Sequence, residues 1–292
     1  MKKYLMLFAT LCACVSACKK ESLNDSLYEE INIPRDISKA FPDPNFRAYV
    51  LEQFDTNNNG VITREEALAV TKIDVYNCEI ASLEGIQYFT NLTHLDCSSN
   101  QLTELNVSNN KALIYLECGG NQLTTLDISK NTVLKELGCW QNKLESLNLR
   151  NNPSLKNLRC NSNKIKNLDI SKNLALEWFV CSTNELTTLD VSKHTKLKSL
   201  FCSNNKLSEL NLTNNTKLEL LQCGGSTNKI KEIDLSKTNI GNSTETYYAI
   251  LLFQYMTSLK TLYLKKGWSI YGITYNRSTY YIPSTTNIVF VD

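Results

Sequence analysis

Seven cysteines, Cys97, Cys118, Cys139, Cys160, Cys181, Cys202 and Cys223, follow one another at intervals of 21 residues. Leucines five positions earlier, from Leu92 to Leu218, keep the same interval, and each opens the pattern L-x-x-[LF]-x-C. In six of the seven units the pattern continues as x-x-N-x-[LI]-x-x-L-[DN]-[VIL], placing Asn100, Asn121, Asn142, Asn163, Asn184 and Asn205 at one position. A unit this short cannot bury its own apolar face, so the units must stack into a solenoid. Within L-x-x-L-x-C the second apolar residue and the cysteine are two apart, so both point to one side of a short strand. Strands stacked about 4.8 Å apart make a parallel sheet over a continuous core. The asparagine then turns the chain, its amide satisfying backbone groups freed at the corner. A second half such as LTELNVSNN is expected to repeat the arrangement as an opposite wall.

The cysteines occupy inward positions and act as small buried hydrophobes. Stacked Cβ atoms near 4.8 Å apart lie slightly beyond the about 3.5–4.5 Å that a disulfide needs. A ladder of free thiols is therefore expected, even in an exported protein. No histidine or second ligand stands in register with the ladder, which argues against a metal site. Cys78 differs, falling at the corner of a 22-residue first rung that begins near Val70.

These 21-residue units resemble the bacterial IRREKO class of leucine-rich repeats. The first rung with its flank LEGIQYFTNL is similar to the cap-to-repeat junction of internalins. Together the resemblances span about residues 40–238. They imply an α/β-type leucine-rich-repeat solenoid with a parallel β-sheet, a helical N-terminal cap and a mixed helix and strand C-terminal cap. They also imply macromolecular binding rather than catalysis, although ligand identity does not transfer between members. The seventh unit departs from the pattern: Cys223-Gly-Gly-Ser-Thr-Asn228 carries two extra residues, and a bulged corner is expected there.

Both raw ends of a solenoid need covers. Asp43-Pro44 reads as a helix start, and Phe46, Val50 and Phe54 recur along one face of the helix that follows. The helix runs into DTNNNGVITREE, which matches an EF-hand loop, with Asp55, Asn57, Asn59, Val61, Thr63 and Glu66 as ligands and Gly60 at the turn. One Ca2+ ion is expected, weakly held because only Asp55 and Glu66 are acidic; the alternative is a metal-free loop in which Thr63 and Glu66 form a capping box. At the other end, Thr244 to Met256 reads as a helix, LKTLYL from Leu259 as a further strand, and the tail with IVFV as β structure.

The leader MKKYLMLFATLCACVSAC has a basic start and a short apolar run, as export signals do. Its end, Val15-Ser16-Ala17-Cys18, resembles a lipoprotein signal box and implies lipid attachment at Cys18. The divisions expected are a signal at 1–17, a tether at 18–38, a helical cap at 39–70, repeats at 71–238 and a C-terminal cap at 239–292. The resemblance implies an outer-membrane lipoprotein on the cell surface of a Gram-negative bacterium. The formal charge of +2 falls to 29 basic against 29 acidic residues without Lys2 and Lys3, which leaves no nucleic-acid footprint.

Strand parity identifies the outward residues. On the first strands these include Tyr115, Trp140, Trp178, Val180, Phe201 and Leu220, with Tyr263 expected on the next strand along. All aromatics of the seven repeats except Phe179 fall in this set, whereas the second wall is small and polar. A contiguous aromatic surface marks recognition, so these seven residues are the expected ligand-binding set. A protein ligand, bound for interaction or adhesion, suits the face best. A glycan-capturing lipoprotein and a structural or accessory subunit of an envelope complex are the alternatives. Catalysis is not expected: His94 and His194 are far apart, and Glu117, Glu136 and Arg159 read as single solvated charges.

Overall fold

The computed structural model describes residues 35–240, 255–266 and 285–292. The signal, Cys18 and most of the Thr244–Met256 segment lie outside the described residues. Among those described, no helix is long and apolar enough to cross a membrane.

The repeats form a solenoid whose main wall is an eight-stranded parallel sheet in sequence order. Its strands are β1 (Lys72–Asp74), β2 (His94–Asp96), β3 (Tyr115–Glu117), β4 (Glu136–Gly138), β5 (Asn157–Arg159), β6 (Trp178–Val180), β7 (Ser199–Phe201) and β8 (Leu220–Gln222). Register is that of the repeat: Leu95 faces Leu116, which faces Leu137, and so on to Leu221. All seven ladder cysteines are buried free thiols, and Cys78 is a half-buried one. Burial pushes Cys160 and Cys202 up to about 12, so these thiols stay protonated and unreactive.

Two asparagine ladders lock the corners. Asn142 is typical of the first: its Nδ2 donates to the carbonyls of Cys118, Cys139 and Trp140, while its Oδ1 accepts from Leu123 N at 2.9 Å. The second runs through Asn110, Asn131, Asn152, Asn173 and Asn215, each donating to carbonyls 24 and 21 residues earlier, as Asn152 does to Ile128 and Asn131. His194 takes the fifth place in this ladder, where its Nε2 lies 3.2 Å from the Ile170 carbonyl. The bulged seventh corner is present: Gly225 adopts φ +106°, and Asn228 still donates to Cys202 and Cys223.

The opposite wall differs from expectation. Across most rungs it is not a sheet, and only an isolated bridge joins Asn106 to Asp127. The residue at that position on these rungs, for example Asp127, Asp169 or Asp190, accepts a hydrogen bond from the backbone two residues on, an Asx turn. Strands return only at the last rung, where β9 (Glu232–Asp234), β10 (Thr261–Lys265) and β11 (Asn287–Val291) form a separate parallel sheet in the order β11-β10-β9.

The N-terminal cover is α1 (Pro44–Phe54) and α2 (Arg64–Ala69). Asp43 caps α1 with Oδ1 and accepts from Ala81 N and Ser82 N with Oδ2, so one carboxylate ties the cap to the first rung. Phe41, Phe46, Phe54 and Phe89 form a chain of ring contacts beneath it. Tyr49 Oη accepts from Asp74 N, satisfying a donor on the otherwise open edge of β1.

Candidate functional site

The outward face of β1–β8 carries three columns of side chains. Glu117 defines its centre. Strand parity turns it outward, yet it is 4% exposed. Its Oε1 accepts from Trp140 Nε1 at 2.6 Å, and its Oε2 pairs with the Arg159 guanidinium two rungs away. Glycines make this possible. A Cβ on Gly138 would lie 1.7 Å from Glu117 Oε1, and one on Gly119 would lie 2.2 Å from the Trp140 ring. The Glu117 side chain therefore lies across Gly138 to reach Arg159, and Trp140 lies back over Gly119. Burial raises the Glu117 pKa, while Arg159 and the Trp140 hydrogen bond pull it down; the net direction is upward. The reading of Glu117 and Arg159 as single solvated charges is thus corrected: they form a half-enclosed ion pair.

Beside this pair lies a shallow depression of about 460 Å³, bordered by Glu117, Glu136, Asn157, Arg159, Trp178, Val180 and Phe201. The Trp178 and Phe201 rings stand 5.3 Å apart, tilted by 30°, and Trp178 is 40% exposed. Tyr115 stacks on His94 at 5.9 Å farther along.

Of the residues expected to bind ligand, Tyr115, Trp140, Trp178, Val180, Phe201 and Leu220 share this one face. Trp140 is spent largely on Glu117. Tyr263 does not join them. It sits on β10 opposite Asp234 of β9, in the second-wall sheet, because LKTLYL continues the second half of the last rung and not the first. The sequence signal for this was the preceding KIKEIDL, which already aligned with the second-wall segments. Tyr76, just after β1 at the same outward parity, is exposed on this face as well, whereas Val133 and Leu174 are exposed outside its strands.

The EF-hand-like loop is closed by its own hydrogen bonds. Glu66 Oε1 accepts from Thr56 N and Oγ1, and Oε2 from Thr63 N and Oγ1, completing the capping box of α2. Asp55 accepts from Asn59 N and Gly60 N, and Asn59 Oδ1 accepts from Val61 N. The donor set is all oxygen, as calcium requires, but Glu66 as placed does not fit a bidentate ligand: a cation would have to take it from Thr56 and Thr63.

Comparison with known proteins places the fold. The family model for the leucine-rich-repeat domain of the endo-beta-N-acetylglucosaminidase EndoS matches residues 41–173. Internalin J of Listeria monocytogenes is 38% identical over 70 residues, 24% of this chain and only 8% of that protein's length. Among solved structures, the functional domain of InlJ from Listeria monocytogenes, described as including a cysteine ladder, is similar with TM-score 0.56 and 29% identity over 80% of this chain and 57% of that one. Internalin C2 of the same species aligns with TM-score 0.59 at 22% identity, over 76% of this chain and 97% of that one. The chain is a leucine-rich-repeat solenoid of internalin-like form.

Proposed function

We propose that this leucine-rich-repeat protein is a surface-displayed binding protein that presents the outward face of β1–β8 to a protein ligand, for interaction or adhesion. The observation that supports it is the contrast between the two walls. One offers the tilted Trp178–Phe201 pair beside an ordered Glu117–Arg159 ion pair; the other offers Asx turns and small polar side chains. Exposed aromatics cost free energy in a free monomer and recur in the centres of interfaces. The likeness to internalins agrees with binding as the role. The ordered ion pair beside the aromatics favours a protein ligand. The Trp178–Phe201 pair could also stack on a sugar ring, which makes glycan capture the second reading.

Display on the outer membrane through lipid at Cys18 rests on the leader sequence alone. Calcium at Asp55, Asn57, Asn59, Val61, Thr63 and Glu66 is proposed only as a weak stiffener of the cap, because the ion would have to draw Glu66 away from Thr56 and Thr63. The test of the main reading uses soluble chain from Lys19 onward and a Trp178→Ala/Phe201→Ala variant of matched circular dichroism. Both are screened in calcium against extracellular host proteins and glycans. A protein hit lost in the variant supports the reading; a glycan hit lost in it supports the second. A hit retained by the variant overturns both.

A further inference from the structure

We propose that the depression between β4 and β7 is a subsite for a lysine or arginine side chain, carried by an extended basic segment of the partner protein. This rests on β1–β8 being the binding face and adds the partner's chemistry.

Three ionised groups border the depression: Glu117, Glu136 and Arg159. The charge of Arg159 is committed to Glu117. The Glu136 side chain makes no hydrogen bond or ion pair among the described residues, and the residue is only half-buried. The unspent charge of the depression is therefore one carboxylate. Strand register puts Glu136, Asn157 and Trp178 at the same position on three successive strands. At about 4.8 Å per strand, Glu136 and Trp178 are roughly 10 Å apart along the sheet.

A lysine or arginine stem laid over Trp178 and Phe201 can carry its cationic head toward Glu136. The stem covers apolar rings while the head meets a carboxylate on one side and the ring face on the other. A carboxylate ligand fits less well, since it would have to compete with Glu117 for a guanidinium already in place.

The rest of the face extends the same charge pattern. Outward positions of β1 and β2 add Asp74 and Asp96 against Lys72, which Asp74 already pairs, while those of β6 to β8 carry no charge. A segment running across the strands would set cations over the N-terminal rungs and apolar side chains over Val180, Phe201 and Leu220.

The test measures binding of acetylated, amidated peptides of alternating serine and lysine to the purified protein. Matched peptides carry glutamate or glutamine in place of lysine. Trp178 is followed by its ¹⁵N-indole resonance, assigned with a Trp178→Phe variant. The expected result is that only the lysine peptide binds and shifts Trp178. Glu136→Gln and Trp178→Ala should each weaken it about fivefold, the size of one solvent-facing charge pair or cation–π contact. Glu104→Gln, exposed on the opposite wall, should leave it unchanged. Stronger binding of the glutamate peptide, equal binding of all three, no binding of the lysine peptide, or indifference to Glu136→Gln would each overturn the subsite. If the subsite fails while a macromolecular hit is still lost in the Trp178→Ala/Phe201→Ala variant, the face stands and only the partner's chemistry falls.

Discussion

Glu117 faces outward by strand parity and is nevertheless enclosed, because Gly119 and Gly138 let Trp140 and Arg159 close over it. The cost of desolvating its carboxylate is offset only in part by one ion pair and one indole hydrogen bond. Gly138→Ala should therefore expel Glu117 from its bed and lower stability by about 2 kcal/mol, the usual size of an overpacking defect; urea unfolding would measure it. The ladder thiols are sealed in the core. In native chain from Lys19 onward, Cys78 alone should react with a thiol reagent, and the other seven only on unfolding. Reaction of several thiols in the folded protein would show that the core is open to solvent.

Single elements show where sequence and structure part. The register of β2–β8 and the corner asparagines were legible because a two-residue parity and a 21-residue interval leave one arrangement that buries the repeating L-x-x-[LF]-x-C positions. The second wall reads as a sheet because its parity is the same, yet among the described residues before the last rung only Asn106 and Asp127 bridge there. Tyr263 went astray for a related reason: its strand repeats a half-rung pattern common to both walls, and only pairing with β9 decides between them. The enclosure of Glu117 had a signal in the outward glycines, but parity alone does not reveal it.

His194 interrupts the second asparagine ladder. Its Nδ1 is buried without a partner, and burial lowers its pKa from 6.5 against weaker opposing contacts with the Ile170 and Val191 backbone. The folded state thus favours the neutral ring. That contribution is present above the unfolded value of about 6.5 and is lost as pH falls through the lower folded value. His194→Asn restores a two-donor amide to the ladder. It should raise stability by about 1 kcal/mol and flatten the pH dependence just below 6.5, both readable by thermal melts. Glu66 behaves similarly at lower pH. Burial alone would raise it, but hydrogen bonds from Thr63 and Thr56 outweigh that and hold it at about 2. Its contribution is present above the ordinary carboxylate range and is lost as pH falls toward 2, so Glu66→Gln should shallow the acid limb of the melt profile. Because the capping box works without metal, the same variant should lower the melting temperature in chelator as well as in calcium.

Across the whole molecule the solenoid separates stability from recognition. The inward leucines, cysteines and asparagine ladders repeat almost without change from rung to rung, which leaves the outward residues of β1–β8 free to vary. They do vary, from acidic at β2–β4 to aromatic and apolar at β6–β8, while the opposite wall stays monotonous. On the proposed function, binding belongs to this one face. The most direct test places the same disruptive side chain on each wall: Phe201→Arg on β7 and Thr188→Arg, exposed on the opposite wall. Binding of both variants to a protein captured by the unmodified chain would be measured by surface plasmon resonance. Loss of tenfold or more in Phe201→Arg, with Thr188→Arg unchanged, is the predicted result; loss in Thr188→Arg with Phe201→Arg unchanged would contradict the account.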